Sequence, residues 1–352
     1  MSDKISQTKP SRTPPSKEVK SIQLELFTSF VSNDQQSMSN TIEIWEKIPK
    51  YFFTSRQIEK LRPATGQPDP YKWTYKEAGI EHSVVIQPAL IEQKDGSFKA
   101  FFPTANEELV EEALKRILTK QNQGIHDPIN QETWVKFSLS MIVKELKHIG
   151  KGKDRPRIKH AIAVMSGCII TFFKGKKEVW KGSILQDLVT VDRGEYLEDT
   201  SSYHIARLPL FISHAINTLN VRQFNYERYM ECGGQLPQWI YKRLINRYTY
   251  ASIGNDHHFM YSDLKSSGLL QQAREIDNRR KVIFALDKLK EKKVINNYKV
   301  EEKEENRKII DTKYTVTASY EFIKEQKAAG KRKAVSNEKA KNLGLVLPVD
   351  KQ

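Results

Sequence analysis

Two stretches hold the side chains best suited to chemistry, and both are basic rather than nucleophilic. "GKGKDRPRIKH", residues 150–160, sets five Lys and Arg against one Asp, and "REIDNRRKVIFALDKLKEKKV", residues 274–294, is basic over a longer span. Guanidinium and ammonium groups at this density make charge-assisted hydrogen bonds to phosphates and base edges, Arg being matched to guanine O6 and N7. In the second stretch Val282, Leu286 and Leu289 share one helical stripe. With that stripe inward, about 100° per residue turns Asp277, Arg280, Lys281 and Lys288 to solvent. Arg274 and Asn278 stand near the start of the same helix and Arg279 on its flank, all within expected reach of a duplex. In the first stretch His160 faces away from the apolar stripe, with Arg157 and Lys159 beside it and Arg155 in the turn leading in. Ala161 and Ala163 leave room for close approach. Lys174, Lys176 and Lys177 crowd a hairpin around Gly175.

Bond-making chemistry has no comparable set. The sequence lacks the Gly-x-x-x-x-Gly-Lys-Ser/Thr loop that cradles nucleotide phosphates, and the His-apolar-His of metal-dependent nickases. His257 and His258 are adjacent and read as a solvated turn, while His204 and His214 stand apart. The carboxylates of "EEKEEN" are consecutive on a hairpin tip, where charges are normally exposed. Cys168 and Cys232 are too few and too distant for a disulfide framework or a thiolate zinc site. The expectation is a protein that is not an enzyme, needs no cofactor or metal, and acts by binding.

The elements that must hold these cations follow a repeated order. From residue 133 the chain reads as a strand "TWVKFS", a helix with Leu139, Ile142, Leu146 and Ile149 on one face, and a glycine-bearing turn. A second helix with Ile158, Ile162 and Met165 follows, then the Gly175 hairpin. The order returns lower down: "QLPQWIYKRLINRYTYA" is amphipathic, "YSDLKSSGLL" is a short helix closed at Gly268, the basic helix follows, and a charged hairpin completes the set. Helix, turn, helix and hairpin is the winged-helix order. The fold class expected is α+β, with two tandem winged-helix domains, and basic charge on the last helix of each points to DNA.

Bulk charge agrees. The chain has 352 residues, room for two domains, and 58 Lys and Arg against 43 Asp and Glu give a formal charge of +15, which favours a polyanion. No apolar run is long enough for a bilayer and no signal-peptide block is seen, so a cytoplasmic protein without a membrane partner is expected. Residues 1–40 are polar and read as a disordered tail. The expected organisation is that tail, a first winged-helix domain with an N-terminal α/β extension over 41–215, a second over 216–325, and a basic flexible tail over 326–352.

"INTLNVRQFNYERYMECGGQLPQWIYKRLINRYTYA", followed by "DLKSSGLL" and "RRKVIFALDKLKEKKVI", resembles the C-terminal region of plasmid replication initiators of the TrfA type, relatives of the iteron-binding Rep proteins. The resemblance covers about 216–295, is architectural over 130–215 and faint over 42–130. It implies tandem winged helices that bind repeated double-stranded origin DNA and work with the host initiator and replicative helicase. It also gives sense to "QLELF" in the tail, which is similar to the short motif through which bacterial replication proteins engage the DNA polymerase sliding clamp. On that likeness Gln23, Leu24, Leu26 and Phe27 would bind the clamp, Leu26 and Phe27 entering an apolar cleft and the Gln23 amide orienting the peptide; Glu25 departs from the Ser or Asp usual at its position. The same residues alternate as a strand would, so an edge strand or half of a homodimer contact is the other reading. A sequence-specific transcriptional regulator, acting on its own gene, is the alternative function.

Overall fold

Proline and aromatic placement decide how the first hundred residues divide. The computed structural model describes residues 38–342, apart from 62, 64–66, 78, 120–122, 128, 129 and 192–201. The chain enters through β1 (Met38–Thr41), α1 (Glu43–Glu46) and α2 (Ser55–Leu61). β2 (Tyr71–Glu77) and β3 (Ile80–Gln87) pair antiparallel. Pro88, which has no N–H to donate, separates β3 from β4 (Ala89–Glu92), and β4 turns back into β5 (Phe98–Phe101) as a separate two-stranded ribbon. Its turn is Asp95-Gly96: Gly96 takes φ +78°, and the Ser97 amide and hydroxyl both donate to Asp95 Oδ1.

α3 (Ala105–Leu118) opens on a capping box: Asn106 N donates to the Thr104 hydroxyl while Thr104 N donates to the Glu107 carboxylate. There follow β6 (Gly124–Asp127), β7 (Glu132–Phe137), α4 (Leu139–His148) capped by Ser138, and α5 (Arg155–Gly167) capped by Asp154. α3, α4 and α5 pack against one another. Next come β8 (Ile169–Lys174), β9 (Lys177–Gly182), β10 (Gln186–Val191) and β11 (Tyr203–Arg207).

The strand pairing corrects the expected wing. β8 and β9, the hairpin around Gly175, join β2 and β3 in a sheet of order β2-β3-β8-β9. The reason is side-chain match: Ile170 and Phe172 lie opposite Ile86 and Val84, all four buried. The hairpin that completes the three-helix unit is β10 and β11, because β11 pairs with β7 in a sheet of order β10-β11-β7-β6.

α6 (Leu210–Asn217) leads to β12 (Arg222–Asn225), which pairs with β1, so Met38–Asn40 belong to the fold rather than to a tail. α7 (Tyr226–Glu231) and α8 (Gln235–Arg247) follow. Then come β13 (His257–Met260), α9 (Tyr261–Leu264) continuing as a 3-10 turn over Lys265–Ser267, α10 (Glu275–Glu291), β14 (Ile295–Glu305) and β15 (Lys308–Ala318). The sheet order β13-β15-β14 reproduces β7-β11-β10. Both units therefore run helix, strand, helix, helix, hairpin, with the last strand central. His257 and His258 stand in β13, not in a loop, and His257 stacks on Tyr248.

The segment expected to be a flexible basic tail from 326 instead continues α11 (Tyr320–Asn342). Ala, Lys and Glu favour helix, and burial of Phe322, Ile323, Gln326 and Ala329 anchors its first turns. Among the described residues no helix is long and apolar enough to cross a membrane. Cys168 and Cys232 are both free and buried, and burial pushes each thiol up to about 12.

Two apolar cores form, one from Ile42 to Ile216 and one from Phe224 to Ile323. Between them lies a buried ionic seam. Lys242 of α8 donates to Glu112 of α3 at 2.7 Å and to Glu46 of α1 at 3.0 Å, and Lys115 of α3 reaches the same Glu46 oxygen at 3.0 Å. Trp45 Nε1 and the Tyr51 hydroxyl close the cluster on Glu111 at 2.5 and 2.7 Å. Gly268 makes the second bridge: its φ is +73°, and a Cβ there would stand 2.7 Å from Phe52 Cδ1. Gly268→Ala is expected to cost about 2–3 kcal/mol, as backbone strain and ring displacement add. A denaturant midpoint equal to that of the unsubstituted protein would refute that assignment.

Candidate nucleic-acid interface

α10 is the best-formed basic surface. Val282, Ala285, Leu286 and Leu289 are buried against the second core, which leaves Arg280, Lys281, Phe284 and Asp287 exposed. Asp277 gathers the arginines around it: Arg274 Nε donates to its Oδ2 at 2.8 Å and Arg274 Nη2 to its Oδ1 at 3.2 Å, with Arg280 Nη1 at 3.7 Å. The carboxylate thus brings two guanidinium groups to one end of the helix without burying either. Lys288 pairs with Glu291 at 2.6 Å one turn before the helix ends.

Two of the expected α10 contacts are turned elsewhere. Asn278 is buried; its Oδ1 accepts from Gln272 N at 2.9 Å and its Nδ2 donates to Gln272 O at 3.1 Å, so it shapes the loop before the helix. Arg279 points to the hairpin, where Nε donates to the Thr312 hydroxyl at 3.1 Å, and its guanidinium lies 4.9 Å from the centre of the Tyr261 ring. Both follow from helical phase, since 278 and 279 fall on the inward half of a helix whose centre line passes through Phe284. Phe284 is not among the residues that charge points to, although the same wheel that places Arg280 and Lys281 outward sets it between them.

β14 and β15 form a long hairpin with balanced charge. Glu301 faces Lys313 across the ladder with an ion pair at 3.2 Å, Lys303 faces Asp311, and Glu305 faces Lys308. The tip residues Asn306 and Arg307 both take positive φ, the conformation of a tight primed turn. Asp311 also accepts from Ser262 N and Oγ, at 3.1 and 2.7 Å, which holds the hairpin to α9.

The first unit presents less of its third helix. The ribbon of β4 and β5 packs on α5; a Cβ on Gly167 would meet the Ala89 methyl at 3.0 Å. His160, expected to face a groove, is half-buried with its ring edge-on to Phe101, centroids 4.5 Å apart. The exposed part of α5 is its start: Arg155 Nη2 donates to the Ser140 hydroxyl at 2.9 Å, Arg157 lies 3.8 Å from Asp154, and Lys159 is open to solvent. Lys174, Lys176 and Lys177 are exposed too, on a hairpin belonging to the other sheet of that unit. Gln23, Leu24, Leu26 and Phe27 lie outside the described residues. Among the described residues no three His, Cys, Asp or Glu side chains are grouped as a metal ion would require.

No protein-family model and no curated protein matches the sequence. Among solved structures the chain is similar to domains 2 and 3 of RctB, at 13% identity and a TM-score of 0.45, over 73% of this chain and 94% of that one. It is also similar to the Pi initiator protein in complex with iteron DNA, at 13% identity and a TM-score of 0.40, over 61% of this chain and 94% of that one.

Proposed function

We propose that this protein is a plasmid replication initiator whose two helix-strand-helix-helix-hairpin units are tandem winged-helix domains that bind repeated origin DNA. The observation that carries the reading is the outward face of α10. Arg280 and Lys281 are exposed on the third helix of the unit, and Arg274 is held beside them by Asp277. That is the place from which a helix in the major groove reaches phosphates and base edges. The start of α5 supplies a second, smaller cationic end in the other unit, so one chain would touch two segments of one duplex. The work is binding, with no bond made or broken in the DNA.

Footprinting the purified protein across the DNA beside its own gene tests the reading. Protection of a repeated sequence is the expected outcome, and a cloned origin should then replicate only when the protein is supplied. Equal affinity for every native fragment and for random DNA would end the proposal.

Recruitment of the replication machinery belongs to the same reading and rests on sequence likeness. Gln23, Leu24, Leu26 and Phe27 would dock in the sliding clamp, while the host initiator and helicase act at the opened origin. Replacing Leu26 and Phe27 together by Ala is expected to abolish clamp binding and leave origin affinity unchanged. Clamp affinity that survives the double replacement would remove the tail from the mechanism.

A further inference from the structure

We infer that Phe284 reads the C5-methyl group of a thymine in the major groove, beside the base contacted by Arg280. The inference rests on the duplex-binding reading above and adds the base type that α10 selects. Phe284 is 60% exposed in mid-helix, although the buried side of the same helix takes Val282, Leu286 and Leu289. Ile276, two turns earlier on the same side, is 52% exposed. A phenyl ring in water forgoes the stabilisation that burial of its area would bring, and at this position it is open to a partner from outside the chain.

The surroundings say which partner. Arg280 stands one turn before Phe284, Lys281 on its other flank, and the Lys288 ammonium lies 5.9 Å from the ring centre. Within about 60° of the ring's direction the helix also offers Asp277, whose charge is met by Arg274 and Arg280, Asp287, which accepts from the Tyr298 hydroxyl at 2.7 Å, and Glu291, whose charge is met by Lys288 and Lys292. An apolar group framed by cations fits a polyanion that carries an apolar spot. In the major groove the base edges offer one such spot, the thymine methyl, and Phe is among the side chains that meet it. Ring and guanidinium one helical turn apart can touch neighbouring base pairs.

The test uses the full chain and its native repeat duplex, with each thymine of the site replaced in turn by deoxyuridine, which lacks only the methyl. At one position, or two adjacent ones, the substitution is expected to weaken binding about three- to tenfold. Phe284→Ala should weaken binding to the unmodified duplex by the same factor and be indifferent to uracil at that position; Phe284→Leu should retain part of the effect. Uracil sensitivity that is absent everywhere, or unchanged in Phe284→Ala, overturns the inference while leaving duplex binding intact. A dimer that becomes a monomer in Phe284→Ala, with uracil sensitivity retained, overturns it in favour of a contact between copies. Failure of the unsubstituted protein to prefer its native repeat over random DNA ends the duplex reading itself, at an earlier step.

Discussion

Lys242→Met should lower the stability of the protein by about 3–5 kcal/mol, the range expected when one member of a buried ionic cluster is removed and its partners stay behind. Lys242 is nearly inaccessible and serves two carboxylates, Glu46 at 3.0 Å and Glu112 at 2.7 Å, from a helix of the second unit. Without it Lys115 is left to face both. Burial alone would push the Glu46 carboxyl up, but the ammonium groups of Lys115, Lys242 and Lys50 outweigh it and hold that carboxyl well below its usual 4.5. The sign of the pH dependence follows. A carboxyl held low in the folded state stabilises it above the unfolded value, so this contribution is present above about pH 4.5 and is lost as acid protonates Glu46. Denaturant unfolding at neutral pH measures the loss, and adding Glu112→Gln, which rebalances the cluster while leaving Glu46 to Lys115, should restore part of it. A single Lys242→Met variant as stable as the parent would mean that the seam is not ionic.

Arg280→Ala is the second large effect, expected on DNA rather than on folding. If its guanidinium forks onto guanine, specific binding weakens by about 1–3 kcal/mol and discrimination at that base relaxes. Stability should hardly change, because the side chain is exposed and its nearest carboxylate, Asp277, keeps Arg274. Competition binding against duplexes altered at single positions separates this from a phosphate contact, whose loss would weaken all sequences alike. An unchanged affinity and footprint would move the reading helix to α5.

The second unit was largely legible because its signals are local. Val282, Leu286 and Leu289 fix the phase of α10, and Gly268 ends the helix before it at a left-handed residue. The first unit was misread where the deciding partner is remote in sequence. Nothing within "CIITFFKGKKEVWKG" says that it will pair with β3 some 90 residues earlier, so the nearest hairpin was taken for the wing instead of β10 and β11. Charge type misled as well. Glu112, Lys115 and Lys242 are of types ordinarily found at the surface and are buried here, because Lys242 of the second unit completes a charge cluster with Glu112, Lys115 and Glu46 of the first. Phe284 shares the outward phase of Arg280 and Lys281, which helical periodicity alone fixes.

The ionic seam has a geometric corollary for the duplex. With Lys242 tied to both Glu46 and Glu112, and Gly268 seated on Phe52, α5 and α10 are mounted on one braced frame. Under the proposed reading that frame is a ruler. One extra base pair between the two segments turns the far one by about 35° around the helix axis, and the protein could follow only by breaking buried ion pairs.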